Sequence, residues 1–453
     1  MNRCLLALAI AMIPVSLVQA AEKQPNIVFI MIDDLGWMDL ACQGNPLVET
    51  PRLDRLAQQG MRFTDAYAAS PVCSPTRAAV LTGLSPARLQ ITNHIPDQKR
   101  FIPDNSTLLP APMIDHLPLE NTTIAERLQA AGYRTAFMGK WHLSGPGAGL
   151  AKWEPDQQGF DINVGGCGFG GPPTFFDPYR IPNLSNRKPG EYLPDRLTDE
   201  AIDFIGDSEE RPFLLFLWNY TVHWPMEAPE SYLKKYADRK GPGLNDTRYG
   251  AMIEAMDAAI GRLLDALDEK GLTQNTLVVF TSDNGGFSGV GDNRPLRESK
   301  GHLYEGGIRV PLIVRWPGVV QAGTICDTPV ISMDYYPTLA EVAGLTTAAE
   351  VLDGVSILPL LNGNVIDRDS LFFHYPNYAW HRSNRLGGAI RQGRFKLVED
   401  FHDGSVELYD LENDLSERQD LAAERPALAE RLQVQLADWR QRVGAAMPVK
   451  PDR

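Results

Sequence analysis

The chain has 453 residues, of which 43% are apolar and 22% are charged, so its composition is that of a folded globular protein and excludes extensive disorder. Its formal net charge of −14 argues against nucleic acid as a partner, because the protein as a whole should repel polyanions. An anionic small substrate would therefore need a local pocket of Lys, Arg and His.

The first 20 residues have the pattern of an export signal. Arg3 precedes an apolar run over residues 5–18, and residues 18–20 (Val-Gln-Ala) resemble a signal-peptidase cleavage site. We expect the mature chain to begin near Ala21 and the protein to be periplasmic or secreted; an uncleaved anchor is the alternative. No later run of about 18 apolar residues follows, so no membrane span is expected after signal removal.

Five cysteines are present, and the one in the signal would be lost on export. Those that remain are Cys42, Cys73, Cys167 and Cys326. They do not form a disulfide framework. If Cys73 is reserved for chemistry, the other three allow at most one bridge, and the sequence assigns no pairing.

Apolar runs alternate with helical patterns along most of the chain. The predicted strands are Asn26–Ile32, 135–138, 212–218, 277–281 and 310–314, and the clearest helices are 123–131 and 249–270. This alternation predicts an α/β fold with a large mixed, mostly parallel sheet sandwiched by helices. The Gly- and Pro-rich residues 145–189 indicate long loops over that sheet.

The pattern changes after residue 362. Short antiparallel strands are predicted at 389–390, 395–398 and 406–409, followed by a helix near Pro426–Val443. We therefore predict a small C-terminal α+β domain of antiparallel sheet plus helix. The expected division is a signal at 1–20, a catalytic domain at 21–365 and a C-terminal subdomain at 366–453.

Polar side chains follow four of the predicted strands. They are Asp33 and Asp34, Lys140 and His142, His223, and Asp283 and Asn284. Ligands of parallel sheets bind beyond the carboxyl ends of the strands. One such residue could be an ordinary loop or cap residue, but four sets together indicate a site.

The segment from Cys73 to Arg77 (Cys-Ser-Pro-Thr-Arg) is the most specific in the chain. Pro75 suits the first turn of a helix and Gly83 its end, so Cys73 should lie at a helix N-terminus, which favours a developing anion. The alternative for Cys73 alone is a small buried packing residue.

This segment resembles the Cys-x-Pro-x-Arg signature of the type I sulfatases of the alkaline phosphatase superfamily, in which the Cys is oxidised to formylglycine. Further segments similar to family motifs, in family order, are 26–36, 139–142, 223–225, 282–286, 300–307 and 407–411. They cover essentially the whole mature chain, and the segment 372–411 is most similar to glycan-active bacterial members. One departure is Thr76, where Ser or Ala is more usual.

The resemblance implies a set of metal ligands and a modified nucleophile. The expected ligands are Asp33, Asp34, formylglycine at Cys73, Asp283 and Asn284. Their hard oxygen atoms suit Ca²⁺, with Mg²⁺ second. Hydrated formylglycine would supply two hydroxyls, of which one attacks sulfur and the other later expels sulfate, and a maturation enzyme is the implied partner.

The resemblance also implies roles for basic residues. Arg77 would hold the formylglycine and the metal carboxylates, and Lys140 and Lys300 would neutralise the sulfate. His142 would contact the diol, and His223 would protonate the leaving alkoxide.

Four other residues have alternative roles. His302 is as plausible a substrate contact as it is a spectator. Trp380, His381 and Arg385 could reach the rim of the site, although core packing or solvation is the more common fate of such residues.

The function predicted from these observations is hydrolysis of sulfate esters on a sulfated carbohydrate, with release of inorganic sulfate. One alternative is a phosphonate or phosphate ester hydrolase of the same superfamily, but the chain lacks a second His- and Asp-rich metal set. The other is a catalytically dead protein that binds sulfated glycans.

Overall fold

The computed structural model describes residues 24–146, 151–207, 211–381 and 385–451. The predicted signal peptide and the expected mature start near Ala21 lie outside these ranges. Within them, none of the helices combines the length and the apolar composition needed to cross a membrane.

Fourteen strands are present in the described residues. They are β1 Asn26–Ile32, β2 Met61–Phe63, β3 Ala66–Tyr67, β4 Arg134–Gly139, β5 Ile162–Val164, β6 Phe213–Trp218, β7 Thr276–Ser282, β8 Leu312–Arg315, β9 Thr324–Cys326, β10 Val330–Ile331, β11 Ser370–Tyr375, β12 Gly387–Gln392, β13 Phe395–Asp400 and β14 Val406–Asp410.

Eight of these strands form one sheet in the order β5-β4-β6-β1-β7-β8-β2-β9. The five strands from β5 to β7 run parallel, whereas β8 is antiparallel to both β7 and β2. Every residue of β1, β6 and β7 is buried, which explains why these strands read as continuous apolar runs.

The α-helices cover both faces of the sheet. They are α1 Pro51–Gln59, α2 Cys73–Thr82, α3 Pro86–Leu89, α4 Ile124–Ala130, α5 Leu193–Gly206, α6 Glu230–Tyr236, α7 Thr247–Glu269, α8 Glu305–Ile308, α9 Tyr335–Val342, α10 Leu358–Leu361 and α11 Pro426–Val443. Alternate residues of β1 enter two separate cores, one shared with α5 and α7 and the other with α2, α4 and α9.

The C-terminal strands β11 to β14 form an antiparallel sheet in chain order, and α11 packs against it. The predicted fold class is thus confirmed. The domain boundary near residue 365 stays a prediction. β5 lies inside the stretch predicted as loops, and β2, β3, β9, β10 and β11 have no predicted counterpart.

Candidate active site

Adjacent strands bring the predicted polar residues to one edge of the sheet. Since β1 lies between β6 and β7, the Asp33–Asp34 pair after β1 adjoins the segments that follow both neighbours. The segment after β6 continues to pair with β1, because the backbone N–H of Val222 donates to the carbonyl of Asp33 at 2.7 Å. His223 thereby reaches Asp34, and its Nε2 lies 3.8 Å from Asp34 Oδ2.

The acidic residues at this edge are completely buried and incompletely paired. Asp33, Asp34, Asp283 and Asn284 are each at most 1% exposed. Asp33 Oδ1, Asp34 Oδ2 and Asn284 Oδ1 have no hydrogen-bond partner. Buried oxygens without partners, close together at one edge of the sheet, fit a hard divalent cation.

Two further observations agree with that fit. Ligand atoms of Asp33, Cys73 and Asp283 all lie within 4.8 Å of one another. Burial, together with the carboxylates of Asp283 and Asp34, raises the pKa of Asp33 to about 8 despite the nearby Lys140. The cluster therefore needs additional positive charge to keep all its carboxylates ionised.

Cys73 is the first residue of α2 and is 3% exposed. The helix ends at Gly83, whose φ of +69° is the left-handed conformation that glycine adopts readily. Burial raises the pKa of the Cys73 thiol, although Lys140 and Lys300 oppose the rise. An unmodified Cys73 is therefore a poor thiolate nucleophile.

Arg77 lies one turn further along α2 and is fully buried. Its Nε and Nη2 donate to Asp283 Oδ2 at 2.9 and 2.7 Å, and its Nη1 donates to the carbonyl of Lys140 at 2.6 Å. The guanidinium also lies 5.3 Å from the ring centroid of Trp218. Arg77 thus fixes the ends of β7 and β4 relative to α2.

Two buried lysines complete the charge balance. Lys140 Nζ donates to Asp33 Oδ2 at 2.7 Å, and Lys300 Nζ is paired with Asp34 Oδ1. Burial lowers the pKa of Lys300, but the charges of Asp34, Cys73, Asp33 and Asp283 together more than compensate, so the net effect is a raised pKa. The Lys300 ammonium is therefore charged beside Cys73.

The ring nitrogens of His142 and His223 are oriented by backbone carbonyls. His142 Nε2 donates to the carbonyl of Ile95 at 2.5 Å, which leaves Nδ1 buried without a partner. His223 Nδ1 donates to the carbonyl of Trp224 at 3.0 Å. Burial, with added effect from Lys300 and Lys140, lowers the pKa of His223 to about 3 despite Asp34.

The glycine-rich loop closes directly over these histidines. A Cβ at Gly170 would lie 2.8 Å from the His142 ring, and a Cβ at Gly171 would lie 2.7 Å from His223 Nδ1. Glycine is therefore required there for close approach of the backbone.

His302 lies in the turn that carries Lys300. Its ring is 7% exposed, donates from Nδ1 to the carbonyl of Ser299 at 3.1 Å and stacks on His381 at 3.9 Å. Trp380 lies over Lys300, with Nζ 5.4 Å from its ring centroid. Arg385 instead points to the C-terminal sheet, where it pairs with Glu407 at 3.3 Å.

Sequence reasoning missed His94 and Phe287. The His94 ring lies 6.3 Å from that of Trp380, and Phe287 stacks on the same indole at 5.4 Å. Both residues come from irregular loops, and no motif or periodicity marks them.

Comparisons with known proteins agree with this geometry. Residues 25–345 match the family described as Sulfatase, and residues 298–442 match the family described as N-sulphoglucosamine sulphohydrolase, C-terminal. Human arylsulfatase A is 36% identical over 415 residues, which cover 83% of this chain and 75% of the relative.

Among solved structures, the crystal structure of Ps i-CgsB in complex with k-i-k-neocarrahexaose has a TM-score of 0.79 and 30% identity. The match covers 92% of this chain and 93% of the Ps i-CgsB chain. A phosphonate monoester hydrolase of Agrobacterium radiobacter has a TM-score of 0.70 at 21% identity, covering 95% and 100% of the two chains, and this likeness shows the fold alone.

Proposed function

Because this chain belongs to the sulfatase family, we propose that it hydrolyses sulfate esters of carbohydrates with a formylglycine made from Cys73 and with a bound calcium ion. The resemblance seen in the sequence is confirmed, and the chain is a sulfuric ester hydrolase.

The placement of Cys73 carries the proposal. Its side chain lies at the start of α2, within 4.8 Å of carboxylate oxygens of Asp33 and Asp283. A buried thiol with a raised pKa does not suit direct attack, whereas oxidation to an aldehyde would place oxygen at this point. The hydrated aldehyde would supply the nucleophile for sulfur.

The oxygens of Asp33, Asp34, Asp283 and Asn284 would hold calcium, together with position 73. Three of these residues carry buried oxygens without partners, which is the observation that supports a cation. When bound, the ion would stabilise negative charge on the attacking oxygen and on the sulfate. All donors are oxygens, which favours calcium or magnesium over zinc.

The remaining side chains bind and orient the substrate. Lys140 and Lys300 would contact the sulfate oxygens, and Arg77 would keep Asp283 and the Lys140 backbone in place. His142 Nδ1 is an acceptor without a hydrogen-bond partner. His142 lies close to the start of α2, because Ser74 Oγ donates to the His142 carbonyl at 3.0 Å. Because His223 Nδ1 already donates to the Trp224 carbonyl, Nε2 would have to take up a second proton when the anionic ester binds, and it would then pass that proton to the leaving oxygen.

A carbohydrate is the substrate class that we favour. Ps i-CgsB, which shares the fold at 30% identity, binds an oligosaccharide. The mixture of histidines, lysines and aromatic rings around the site also suits a polar ring with one apolar face.

The first test is a comparison of kcat/KM on an aryl sulfate, the matching aryl phosphate and an aryl phosphonate monoester. Sulfate should be preferred by at least 100-fold. Faster hydrolysis of the phosphate or the phosphonate would indicate a phosphate or phosphonate ester hydrolase instead. If fully modified, metal-loaded protein hydrolysed none of the three, a protein that only binds sulfated glycans would be favoured.

Peptide mass spectrometry tests the nucleophile in protein from the native host. The peptide that contains Cys73 should be ~18 Da lighter than the cysteine form, and sulfate release should be lost in Cys73→Ala. Unmodified cysteine in active protein would contradict the formylglycine mechanism.

We further propose export to the periplasm or beyond, which rests on the signal-like first 20 residues. N-terminal sequencing of the native protein should give a start near Ala21. A start at Met1 in protein from a membrane fraction would instead indicate an uncleaved anchor.

A further inference from the structure

One wall of the active site is aromatic and lies next to the lysine that would hold sulfate. The indole of Trp380 is partly buried, and its centroid lies 5.4 Å from Lys300 Nζ. Phe287 stacks nearly parallel on the indole, with an angle of 8° between the rings. Phe287 therefore covers one face of the indole, whose remaining surface is only partly buried.

His381 and Gly301, which follow Trp380 and Lys300 in the chain, fix the position of Trp380 relative to Lys300. His381 Nε2 lies 3.2 Å from the carbonyl of Gly301, and the His381 ring stacks on His302. A Cβ at Gly301 would lie only 2.4 Å from His381 Nε2, so the two segments are in tight contact. The indole therefore has a fixed position relative to the Lys300 ammonium.

His94 lies at the edge of the same wall, and its tautomer is set by its neighbours. Its Nδ1 lies 3.1 Å from Asn93 Oδ1. That oxygen also accepts from Tyr375, while Asn93 Nδ2 donates to Asp97 and to the Tyr378 carbonyl. The amide orientation is thereby fixed, so His94 Nδ1 is the donor and Nε2 is an acceptor.

The electrostatic surroundings keep the His94 ring neutral. Burial is the main cause, and the charges of Lys300 and Lys140 add to it, lowering the pKa of His94 to about 4. A neutral acceptor beside two lysines favours a hydroxyl donor over a second sulfate group.

We propose that Trp380 and His94 form the sugar-binding wall of the active site, with Trp380 stacking on the ring that carries the sulfate and His94 accepting a hydrogen bond from a free hydroxyl of that ring. This inference rests on the proposed carbohydrate activity and adds the residues that recognise the ring. The preferred ligand is a pyranose with one sulfate and an unmodified neighbouring hydroxyl. Stacking uses the apolar face of the sugar, and the surrounding polar groups use its edge.

The test uses modified, metal-loaded enzyme and three probes: a panel of monosulfated galactose, N-acetylgalactosamine and glucosamine derivatives, an aryl sulfate, and inorganic sulfate as an inhibitor. In Trp380→Ala, KM for the best sugar sulfate should rise about 10-fold. The inhibition constant of inorganic sulfate should change far less. Trp380→Phe, which keeps a stacking surface, should recover most of the loss.

His94 is tested by two substitutions. His94→Leu removes the acceptor and should lower kcat/KM for the monosulfated sugar about 5-fold or more, which is the worth of a typical hydrogen bond. His94→Gln retains an acceptor and should lose less. Trp316→Ala is the control, since Trp316 is a partly buried tryptophan that follows β8 at the opposite edge of the sheet.

The outcomes separate this inference from the proposed function. If the unaltered enzyme hydrolyses the aryl sulfate but none of the sugars, the carbohydrate proposal fails and the inference fails with it. If sugars are hydrolysed but Trp380→Ala changes sugar KM and sulfate inhibition equally, Trp380 acts only through Lys300 and the inference is overturned. A larger loss on the aryl sulfate than on the sugar would mean that the wall binds an aromatic alcohol, which also overturns it.

Discussion

At the scale of single residues, the site is a balanced set of buried charges. Three carboxylates, on Asp33, Asp34 and Asp283, face three cations, on Arg77, Lys140 and Lys300, and all six side chains are at most 4% exposed. Balanced charge alone would not attract an anionic ester. A bound divalent cation would make the site net positive, which is the condition for binding sulfate in a protein of net charge −14.

His223 provides a residue-scale prediction about proton transfer. In His223→Ala, we expect kcat/KM on an alkyl or sugar sulfate to fall by roughly 100-fold or more, because the poor leaving oxygen needs a proton. The loss of kcat/KM on 4-nitrophenyl sulfate should be much smaller, since the 4-nitrophenolate leaving group is stable as an anion. Steady-state kinetics on both substrates give the comparison, with His116→Ala as the control.

Equal losses on the two substrates would contradict proton donation by His223. They would indicate that the side chain only positions Asp34, which it approaches within 3.8 Å.

At the scale of elements, the sequence predicted those site residues that follow long buried strands. Asp33, Lys140 and Asp283 could be predicted to lie together because β1, β4 and β7 contain apolar runs whose carboxyl ends meet. The position of His94 beside Lys300 could not be predicted, because both lie on irregular loops that are far apart in the chain. Lys300 itself was found only through the family resemblance.

The C-terminal sheet supports the turn that carries Lys300. Lys396 Nζ, on β13, lies 2.9 Å from Glu305 Oε1 and 2.9 Å from Glu417 Oε1, and all three side chains are fully buried. Glu417 Oε2 also accepts from the backbone N–H of Glu305 at 2.7 Å. Glu305 begins α8, directly after the Lys300 turn, so this network joins the two sheets near the active site.

Removing the central charge of this network should be strongly destabilising. Lys396→Met leaves the buried Glu417 without its cation, while Glu305 keeps Arg309 at 3.0 Å, and we expect a loss of about 3–5 kcal/mol in the free energy of unfolding. Urea denaturation measures it. Lys234→Met is the matched control, because Lys234 is 74% exposed and pairs only with Glu230; its effect should stay within about 0.5 kcal/mol.

A Lys396→Met protein as stable as the unaltered one would show that the network is dispensable for folding. If Lys396→Met kept its stability but had a reduced kcat/KM, the network would act only by positioning the turn that carries Lys300.

His374, on β11, should make the stability of the folded protein sensitive to acid. Its Nε2 donates to the carbonyl of Ala446 at 2.9 Å, its Nδ1 is buried without a partner, and burial lowers its pKa to about 4. Since the unfolded chain titrates near 6.5, stability from this residue is complete above that pH and is lost as pH falls from about 6.5 to about 4.

The full loss from His374 amounts to about 3 kcal/mol. His374→Gln keeps a donor for the Ala446 carbonyl but does not titrate. Unfolding free energies measured from pH 7.5 to 4.5 should therefore fall less steeply in the variant, and parallel curves would show that the pKa of His374 in the folded protein is the same as in the unfolded chain.

At the scale of the whole molecule, the parallel sheet, the α2 helix and the C-terminal sheet all converge on the acidic cluster. The cluster joins residues from β1, β7 and α2 that are up to 250 positions apart. An ion bound there would connect segments that separate on unfolding, so metal binding should be coupled to global stability.

Calcium removal should therefore lower the thermal midpoint of the entire protein. If free calcium is 1,000 times the dissociation constant, binding contributes ~4 kcal/mol, which corresponds to a shift of roughly 5 °C or more in a large domain. Differential scanning calorimetry with and without EGTA measures the shift, and elemental analysis should find one calcium per chain.

Asp33→Asn should abolish the calcium response, whereas Asp238→Asn, at an exposed position, should retain it. Magnesium should restore less of the midpoint, because it demands a regular octahedron and dehydrates reluctantly. An unchanged midpoint and no calcium after dialysis would mean that the orphaned oxygens of Asp33, Asp34 and Asn284 do not hold this ion.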